Sequence, residues 1–328
     1  MGIYQASRPG AYLGPLAPPE ALTVRSPLAP ALFLVTVSGG LGAQTPPARL
    51  DWSADDSVRI ALATAHGHAY RGAHSVVWAP ADSLDPTWLA AFVDSLDVGL
   101  AHLEDLIGGP YPWQRIANRP VRFYLSPGRF VSHASGRDAV FISLRAVRQR
   151  YAPYLHEAAH ELLAPAAPFS PWEYPDSAAE EAAAARFPVW LSEGLADYLA
   201  QTVAAATGFP EGDVFEIGGL AKADSVCAAR LSGSPRRAEI LDKVGGNGRL
   251  EALFTDERAQ VAPVFYACSQ SFTRYLADRI GVRTLVVLFS RVPSGAWLSD
   301  LAAAAGEPLD ALRRAWLVGI GVEQVARD

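Results

Sequence analysis

The chain has 328 residues, half of them hydrophobic, and can bury a large core as one two-lobed unit or as two domains. Its 28 basic and 34 acidic residues give a formal net charge of -6, and the basic residues form no cluster. This composition lacks the electrostatic footprint of a nucleic-acid-binding protein, so we expect no nucleic-acid partner.

Residues 1–43 have the pattern of an export signal. Arg8 and Arg25 precede an apolar run at 28–37 that is too short to span a membrane. Small residues follow, and their arrangement before Gln44 resembles a signal-peptidase site. We predict an exported protein, periplasmic or secreted, with no membrane span in the mature chain. A downstream translation start and an uncleaved N-terminal anchor are the alternatives, because the leader is long.

The segment 44–73 is predicted to be a linker and an N-terminal extension, because it begins with proline and polar residues. Within it, the alternation of Val58 to Ala63 is interpreted as a strand. His66, His68 and His74 suggest a second metal site, but they lie in a turn region without a carboxylate or cysteine partner. We therefore favour no metal ion there.

The next elements alternate strands with a helix. His74 to Ala79 is predicted to be a strand. Asp85, followed by a proline, is typical of a helix N-terminus, and the helix is predicted over 86–106. Two further strands are predicted at 120–125 and 139–143, joined by a loop rich in glycine and serine.

The stretch from Tyr154 to Glu161 contains the pattern H-E-x-x-H, formed by His156, Glu157 and His160. On a helix, histidines four residues apart lie on one face and can share a metal ion, with the glutamate beside them. Zinc chemistry needs neutral imidazole ligands and a base that takes a proton from the metal-bound water. The pattern therefore predicts a catalytic metal helix.

A third ligand is expected downstream, because catalytic zinc normally has three protein ligands. Trp190 to Tyr198 is predicted to be a helix started by Pro188, with Glu193 and Asp197 one turn apart. Glu193 can reach the metal while Asp197 accepts the outer N–H of a ligand histidine. Gly194, a poor residue for a helix interior, predicts close packing between this helix and the histidine helix.

The paired motifs resemble those of the gluzincin metallopeptidases, a group with thermolysin-like, aminopeptidase-like and peptidase MA-like members. The resemblance implies one Zn²⁺ ion bound by His156, His160 and Glu193. It also implies that Glu157 is the general base and that Asp197 orients a ligand histidine. The expected fold is α+β and zincin-like. A metallopeptidase domain over 74–328 would have an α/β lobe, 74–206, with a small mixed sheet and the zinc helix, and a helical lobe, 207–328.

Two departures from the family pattern concern the cleft. The spacing from His160 to Glu193 is long, and 164–187, rich in proline, alanine and acidic residues, is interpreted as an inserted loop near the cleft. The Gly-x-Met-Glu-Asn signature of aminopeptidases is missing, and residues 136–143 stand in its place. An endopeptidase is therefore favoured over an exopeptidase.

In this family the strand before the zinc helix pairs with an extended substrate. The resemblance thus assigns peptide binding to Ala139, Val140, Phe141 and Ile142, through β-strand addition. An ordinary core strand is the alternative. The loop before this strand carries His133.

The C-terminal part is predicted to be helical at 220–231, 263–280, 283–289, 297–304 and 309–318. The stretch from Phe265 to Leu276 resembles a C-terminal-lobe helix of peptidase MA-like domains, which often carries a tyrosine near its start. Tyr266 is the candidate donor to the oxyanion of the reaction. A core role for Tyr266, and Tyr275 as the donor, are the alternatives.

The chain has two cysteines, Cys227 and Cys268. In an exported chain an even number permits a disulfide, and we predict that these two residues pair. Two buried free thiols are the alternative.

The expected function is that of an exported zinc peptidase acting on peptide or protein substrates. A zincin-fold binding protein without catalysis is the alternative, but a purely structural site would not need the carboxylate of Glu157.

Overall fold

The computed structural model describes residues 54–108, 120–135, 139–163, 178–292 and 295–322. All of these ranges belong to one compact unit. The predicted leader, 1–43, the start of the linker and residues 164–177 of the predicted inserted loop lie outside the described residues. Among the helices of the described ranges, none is long and apolar enough to cross a membrane.

The strands are β1 (Gly67–Arg71), β2 (Ser75–Pro80), β3 (Val121–Ser126), β4 (His133–Ala134) and β5 (Ala139–Ser143). The first six helices are α1 (Ala54–His66), α2 (Pro86–Ile107), α3 (Leu144–Gln149), α4 (Tyr154–Leu163), α5 (Ala178–Arg186) and α6 (Val189–Thr207). The others are α7 (Ala223–Ser232), α8 (Arg237–Lys243), α9 (Arg258–Ile280), α10 (Val282–Ser290), α11 (Trp297–Ala305) and α12 (Leu309–Gly319).

The strands form one mixed sheet in the order β1-β2-β3-β5-β4. β2, β3 and β5 are parallel, whereas β1 and β4 run antiparallel to their neighbours at the two edges. The mixed sheet and the helices that follow confirm the α+β class. The strand predictions at 74–79, 120–125 and 139–143 are confirmed to within one residue.

The two faces of the sheet pack against different helices. On one face, Tyr124, Ala139 and Phe141 form a small cluster with Ala63 of α1. On the opposite face, Phe123 and Val140 join the main core, which includes α2, α4, α6 and α9. This division follows from the strand geometry, because successive side chains point to opposite faces.

The prediction of a strand at Val58 to Ala63 is wrong, because these residues lie in the middle of α1. Asp55 and Asp56 occupy its first turn, where carboxylates are favoured by the helix dipole. Ile60 and Ala63, three residues apart, both pack on the sheet. Residues 54–71 of the predicted linker and extension therefore form α1 and the edge strand β1.

The predicted N-cap of α2 is confirmed, since the Asp85 carboxylate accepts the backbone N–H groups of Thr87 and Trp88. α9 begins at Arg258, earlier than predicted, and contains Pro263 in its interior. The short helices α3, α5 and α8 are not among the predicted helices, and α5 lies within the predicted inserted loop.

Gly194 marks the close packing of α6 against α9. A Cβ atom at this position would lie 2.1 Å from Oγ1 of Thr273 and 2.5 Å from the carbonyl oxygen of Ser269. The partner predicted for this glycine is therefore corrected: the close approach is to α9, not to the histidine helix α4. Through this contact α9 fixes the position of α6 at the residue next to Glu193.

The predicted disulfide is confirmed: Cys227 of α7 is bonded to Cys268 of α9. Both residues are fully buried. The bond ties α7 to the helix that supports α6, across a separation of 41 residues.

We expect reduction of this disulfide to lower the free energy of unfolding by about 3–4 kcal/mol, because a loop of this length restricts the unfolded chain. Urea unfolding with and without reductant measures the change. The double variant Cys227→Ala/Cys268→Ala is the matched control and should be insensitive to reductant. Equal urea midpoints for the oxidised and reduced wild type would contradict the prediction.

Candidate metal centre

The histidine helix α4 is held at its N-terminus by a carboxyl group from a distant loop. Glu211, four residues after the end of α6, accepts the backbone N–H groups of Leu155 at 2.8 Å and His156 at 3.0 Å. Phe209 in the same loop packs edge-on against Tyr154, the first residue of α4. Burial raises the pKa of Glu211 to about 8, although the two N–H donors oppose this shift. The helix start is thus fixed from outside the helix.

His156, His160 and Glu193 converge at the junction of α4 and α6. The Nε2 atoms of the two histidines lie 3.1 Å apart, and Oε2 of Glu193 lies 3.4 Å from each of them. One ligand atom from each of the three residues lies within 4.8 Å of the other two. Glu193 is only 1% exposed. These residues form a group that can hold a metal ion.

Asp197, one turn after Glu193 on α6, contacts the other side of the His156 ring. Its Oδ1 atom lies 2.7 Å from Nδ1 of His156. When Nδ1 donates its hydrogen to this carboxylate, the lone pair of Nε2 is directed toward Glu193 and His160. The contact therefore sets the tautomer that a metal ligand needs.

The charged states of this group stabilise one another. Burial alone would raise the pKa of Glu193, but His160 and His156 hold it well below its ordinary value. Burial would likewise lower the pKa of His156, yet Asp197 and Glu193 raise it well above the ordinary value. Because a metal ligand must be a neutral imidazole, metal binding would displace protons from this group.

Glu157 follows His156 on α4, and its side chain is buried. Burial raises the pKa of its carboxyl group, and the nearby Glu193 adds to this effect, while the two histidines oppose it. A carboxyl group in such a position accepts a proton more readily than one in water.

Tyr266 of α9 lies beside the histidines. Its ring centroid is 6.5 Å from that of His156 and 4.2 Å from that of Phe215. Burial raises the pKa of its hydroxyl well above the ordinary value, and the negative charge of Glu193 adds to this, so the hydroxyl remains a donor. Tyr275, the alternative donor, instead stacks on Phe272, further along α9.

The strand predicted to bind substrate, β5, lies inside the sheet. The side chains of Ala139, Val140, Phe141 and Ile142 are fully buried. One side of β5 pairs with β3, and on the other side Phe141 pairs with His133 and Val140 with Ala134. Strand addition needs a free edge, and β5 has none at these pairs. The prediction is corrected accordingly: the described edge strand is β4.

Sequence reasoning did not find two groups around the site. Glu211 carried no recognisable motif, and His133 was assigned to a loop, whereas it lies in β4 and contacts Asp56. His66 and His68, considered for a second metal site, are exposed. Within the described ranges, the His156 group is the only metal-binding constellation found.

No protein-family model matches this sequence, and no curated protein sequence is significantly similar to it.

We expect protein purified without chelator to contain about one bound metal ion per chain, since three side chains converge on one point. His160→Ala should lose most of this metal, because it removes one of the three ligands. His102→Ala, at an exposed histidine of α2, is the matched control and should retain the metal. Metal analysis by mass spectrometry measures both variants, and undiminished metal in His160→Ala would refute the assignment.

Proposed function

We propose that this protein is an exported zinc-dependent endopeptidase with a zincin-like fold. The observation that carries the proposal is a single constellation: a carboxyl group, Glu157, stands buried beside three convergent metal ligands. Ligands alone would suit a structural metal, whereas ligands with an adjacent base suit hydrolysis.

The donor set and its spacing support zinc. Two imidazole nitrogens and one carboxylate oxygen are typical ligands of catalytic zinc, which leaves a fourth position open. Atoms 3.1 to 3.4 Å apart that share an ion at about 2.0–2.1 Å subtend about 95–115°, close to a tetrahedral angle. The buried Oε1 atom of Glu193 accepts no hydrogen bond from the described residues, which fits a carboxylate that serves a cation.

A zinc ion at this position would supply a Lewis acid that polarises a carbonyl group and lowers the pKa of water. Glu157 would take the proton from the attacking water and pass it to the leaving amine. Asp197 holds the His156 ring through Nδ1, so that Nε2 is the nitrogen that would bind the metal once its proton is displaced. Glu211 holds the start of α4, so that its two histidines keep their place relative to α6.

The substrate would bind as an extended peptide along β4, the edge strand of the sheet. β4 packs against α4, the helix that carries Glu157. Backbone hydrogen bonds to an edge strand bind many sequences, which suits a peptidase acting on unfolded chains.

The disulfide between Cys227 and Cys268 supports the export part of the proposal. Such bonds persist in oxidising compartments, whereas the cytosol keeps most thiols reduced.

The proposed function predicts cleavage of an unfolded protein that stops when a chelator is added and returns with Zn²⁺. Glu157→Gln should retain the metal but lose turnover, because an amide of the same size cannot take a proton from water. Glu251→Gln, at an exposed glutamate, is the matched control and should cleave like the wild type. A Glu157→Gln protein with a tenth or more of the wild-type kcat would contradict the role of Glu157.

The proximity of Tyr266 to His156 predicts a second loss of turnover. Tyr266→Phe removes only the hydroxyl, and loss of one oxyanion donor costs about 10²–10³ in kcat with little change in substrate binding. Tyr275→Phe, the same change further along α9, should remain near wild-type activity. The measurement is kcat and KM for both variants with zinc content checked. A Tyr266→Phe rate within about threefold of wild type would exclude the hydroxyl as a donor.

A further inference from the structure

The edge strand β4 is fixed by a histidine whose two ring nitrogens are both engaged. Nδ1 of His133 lies 2.9 Å from the carbonyl oxygen of Val131. Nε2 lies 3.1 Å from each carboxylate oxygen of Asp56. Because a carbonyl and a carboxylate only accept hydrogen bonds, both contacts are hydrogen bonds when both nitrogens carry hydrogen, that is, when the ring is an imidazolium ion.

Asp56 brings this contact from a different part of the chain. It lies on α1, is only 6% exposed, and also accepts a hydrogen bond from Arg59 at 2.6 Å. The Arg59 guanidinium in turn lies over the Phe130 ring, 4.4 Å from its centroid. α1 thus presents a buried, oriented carboxylate to the edge of the sheet.

The His133 ring also stacks within a row of aromatic rings. Its cross-strand partner Phe141 lies 5.1 Å away at an interplanar angle of 22°, and Tyr124 of β3 stacks on Phe141 at 5.4 Å. Stacking fixes the plane of the imidazolium, and Asp56 fixes its rotation. These contacts hold the His133 ring in place and, through it, the backbone of β4.

A second contact joins this strand to the helix of the metal site. Ser135, directly after β4, donates its hydroxyl to Oε1 of Glu161 at 3.2 Å. Glu161 lies on α4, one turn after Glu157. β4 is thus held on one side by α1 and on the other by α4.

We propose that Asp56 and His133 are positioning residues that hold β4 beside Glu157, so that a peptide added to this edge lies in register with the metal group. This inference rests on the proposed peptidase function. Neither residue takes part in bond cleavage. Their effect is on substrate binding, because a displaced edge strand changes every backbone hydrogen bond to the peptide.

The charges around His133 give this contact a pH dependence. The charged groups that act on the ring are Asp56 from α1 and Glu157 from α4, and Arg59 of α1 acts in turn on Asp56. Burial would lower the pKa of His133, but hydrogen bonds to Asp56 and Val131 raise it above the ordinary 6.5. Burial would raise the pKa of Asp56, but His133 and Arg59 hold it below the ordinary 3.8.

The directions of these two pKa shifts define the pH range over which the contact between His133 and Asp56 is formed. A raised histidine pKa means that the contact is complete below pH 6.5 and is lost as pH rises through the raised value. A lowered aspartate pKa means that it is complete above pH 3.8 and is lost only as pH falls through the lowered value. KM of the wild type should therefore be lowest between these limits and rise on the alkaline side.

Asp56→Asn tests the proposal on the zinc-loaded protein with a fluorogenic peptide. KM should rise about tenfold near pH 6, with kcat changed less than about twofold, because binding rather than chemistry is affected. The alkaline rise of KM should also be much smaller than in the wild type. Asp55→Asn, an exposed neighbour on the same turn of α1, removes the same charge and should match the wild type.

His133→Gln removes the same contact from the other residue. It replaces Asp56→Asn as the test if Asp56→Asn does not fold. The double variant Asp56→Asn/His133→Gln should be no worse than either single variant, because both remove one interaction. If the KM increases of the two single variants multiply in the double variant, or if kcat and zinc content fall together, the residues have a general structural role and the proposal is overturned.

Hydrogen exchange gives a readout that does not depend on peptidase activity. The N–H of Ser135, which donates to the carbonyl of Ala139 at 2.9 Å, should exchange faster in Asp56→Asn than in Asp55→Asn. Amides of α2 should be unchanged. If the wild type cleaves nothing, the peptidase proposal fails while faster exchange still supports the strand contact. Unchanged exchange and KM in an active Asp56→Asn protein would overturn the positioning role alone.

Discussion

The candidate metal site depends on one constraint: α4 and α6 must be held so that two pairs of side chains come together. In each pair the two residues lie one helical turn apart. α4 supplies the histidines and α6 supplies Glu193 and Asp197. Neither helix determines this relative position by itself. Gly194 lets α9 approach α6 closely, and Glu211 secures the start of α4. For the proposed peptidase, a shift of about 1 Å in the reacting groups would cost about a hundredfold in rate, so the positions that these supports hold would decide whether the ligands can act.

Local spacing predicts the two one-turn pairs, His156 with His160 and Glu193 with Asp197, and the resemblance to gluzincins implied that the two pairs meet. Four-residue spacing on a helix brings His156 next to His160, whatever the tertiary fold. The contact between Asp56 and His133 joins residues 77 positions apart, and that between Glu211 and Leu155 joins residues 56 apart. No periodic pattern links such residues, because tertiary packing alone brings them together.

The edge of the sheet shows the same difference between features with a local sequence pattern and features set by tertiary packing. β4 has two residues, too few for any alternation to be recognised. β5, by contrast, is apolar at four successive positions, which is typical of an interior strand buried on both faces. The sequence therefore contained a signal against β5 as the peptide-binding edge, and the family resemblance outweighed it. The strand prediction within α1 is wrong for a related reason, because the middle of this helix, Val58 to Ala63, alternates like a strand while its contacts with the sheet have helical spacing.

Four carboxyl groups stand around the two histidines of α4: Glu157, Glu193, Asp197 and Glu211. Burial acts to raise the pKa of all four; it prevails for Glu157, Asp197 and Glu211, whereas the histidines hold the pKa of Glu193 low. Four carboxyl groups thus face two imidazoles. A bound divalent cation would lower each raised pKa and stabilise the meeting of α4 and α6. The packing that forms the group and the ion that it is proposed to bind would thus support each other.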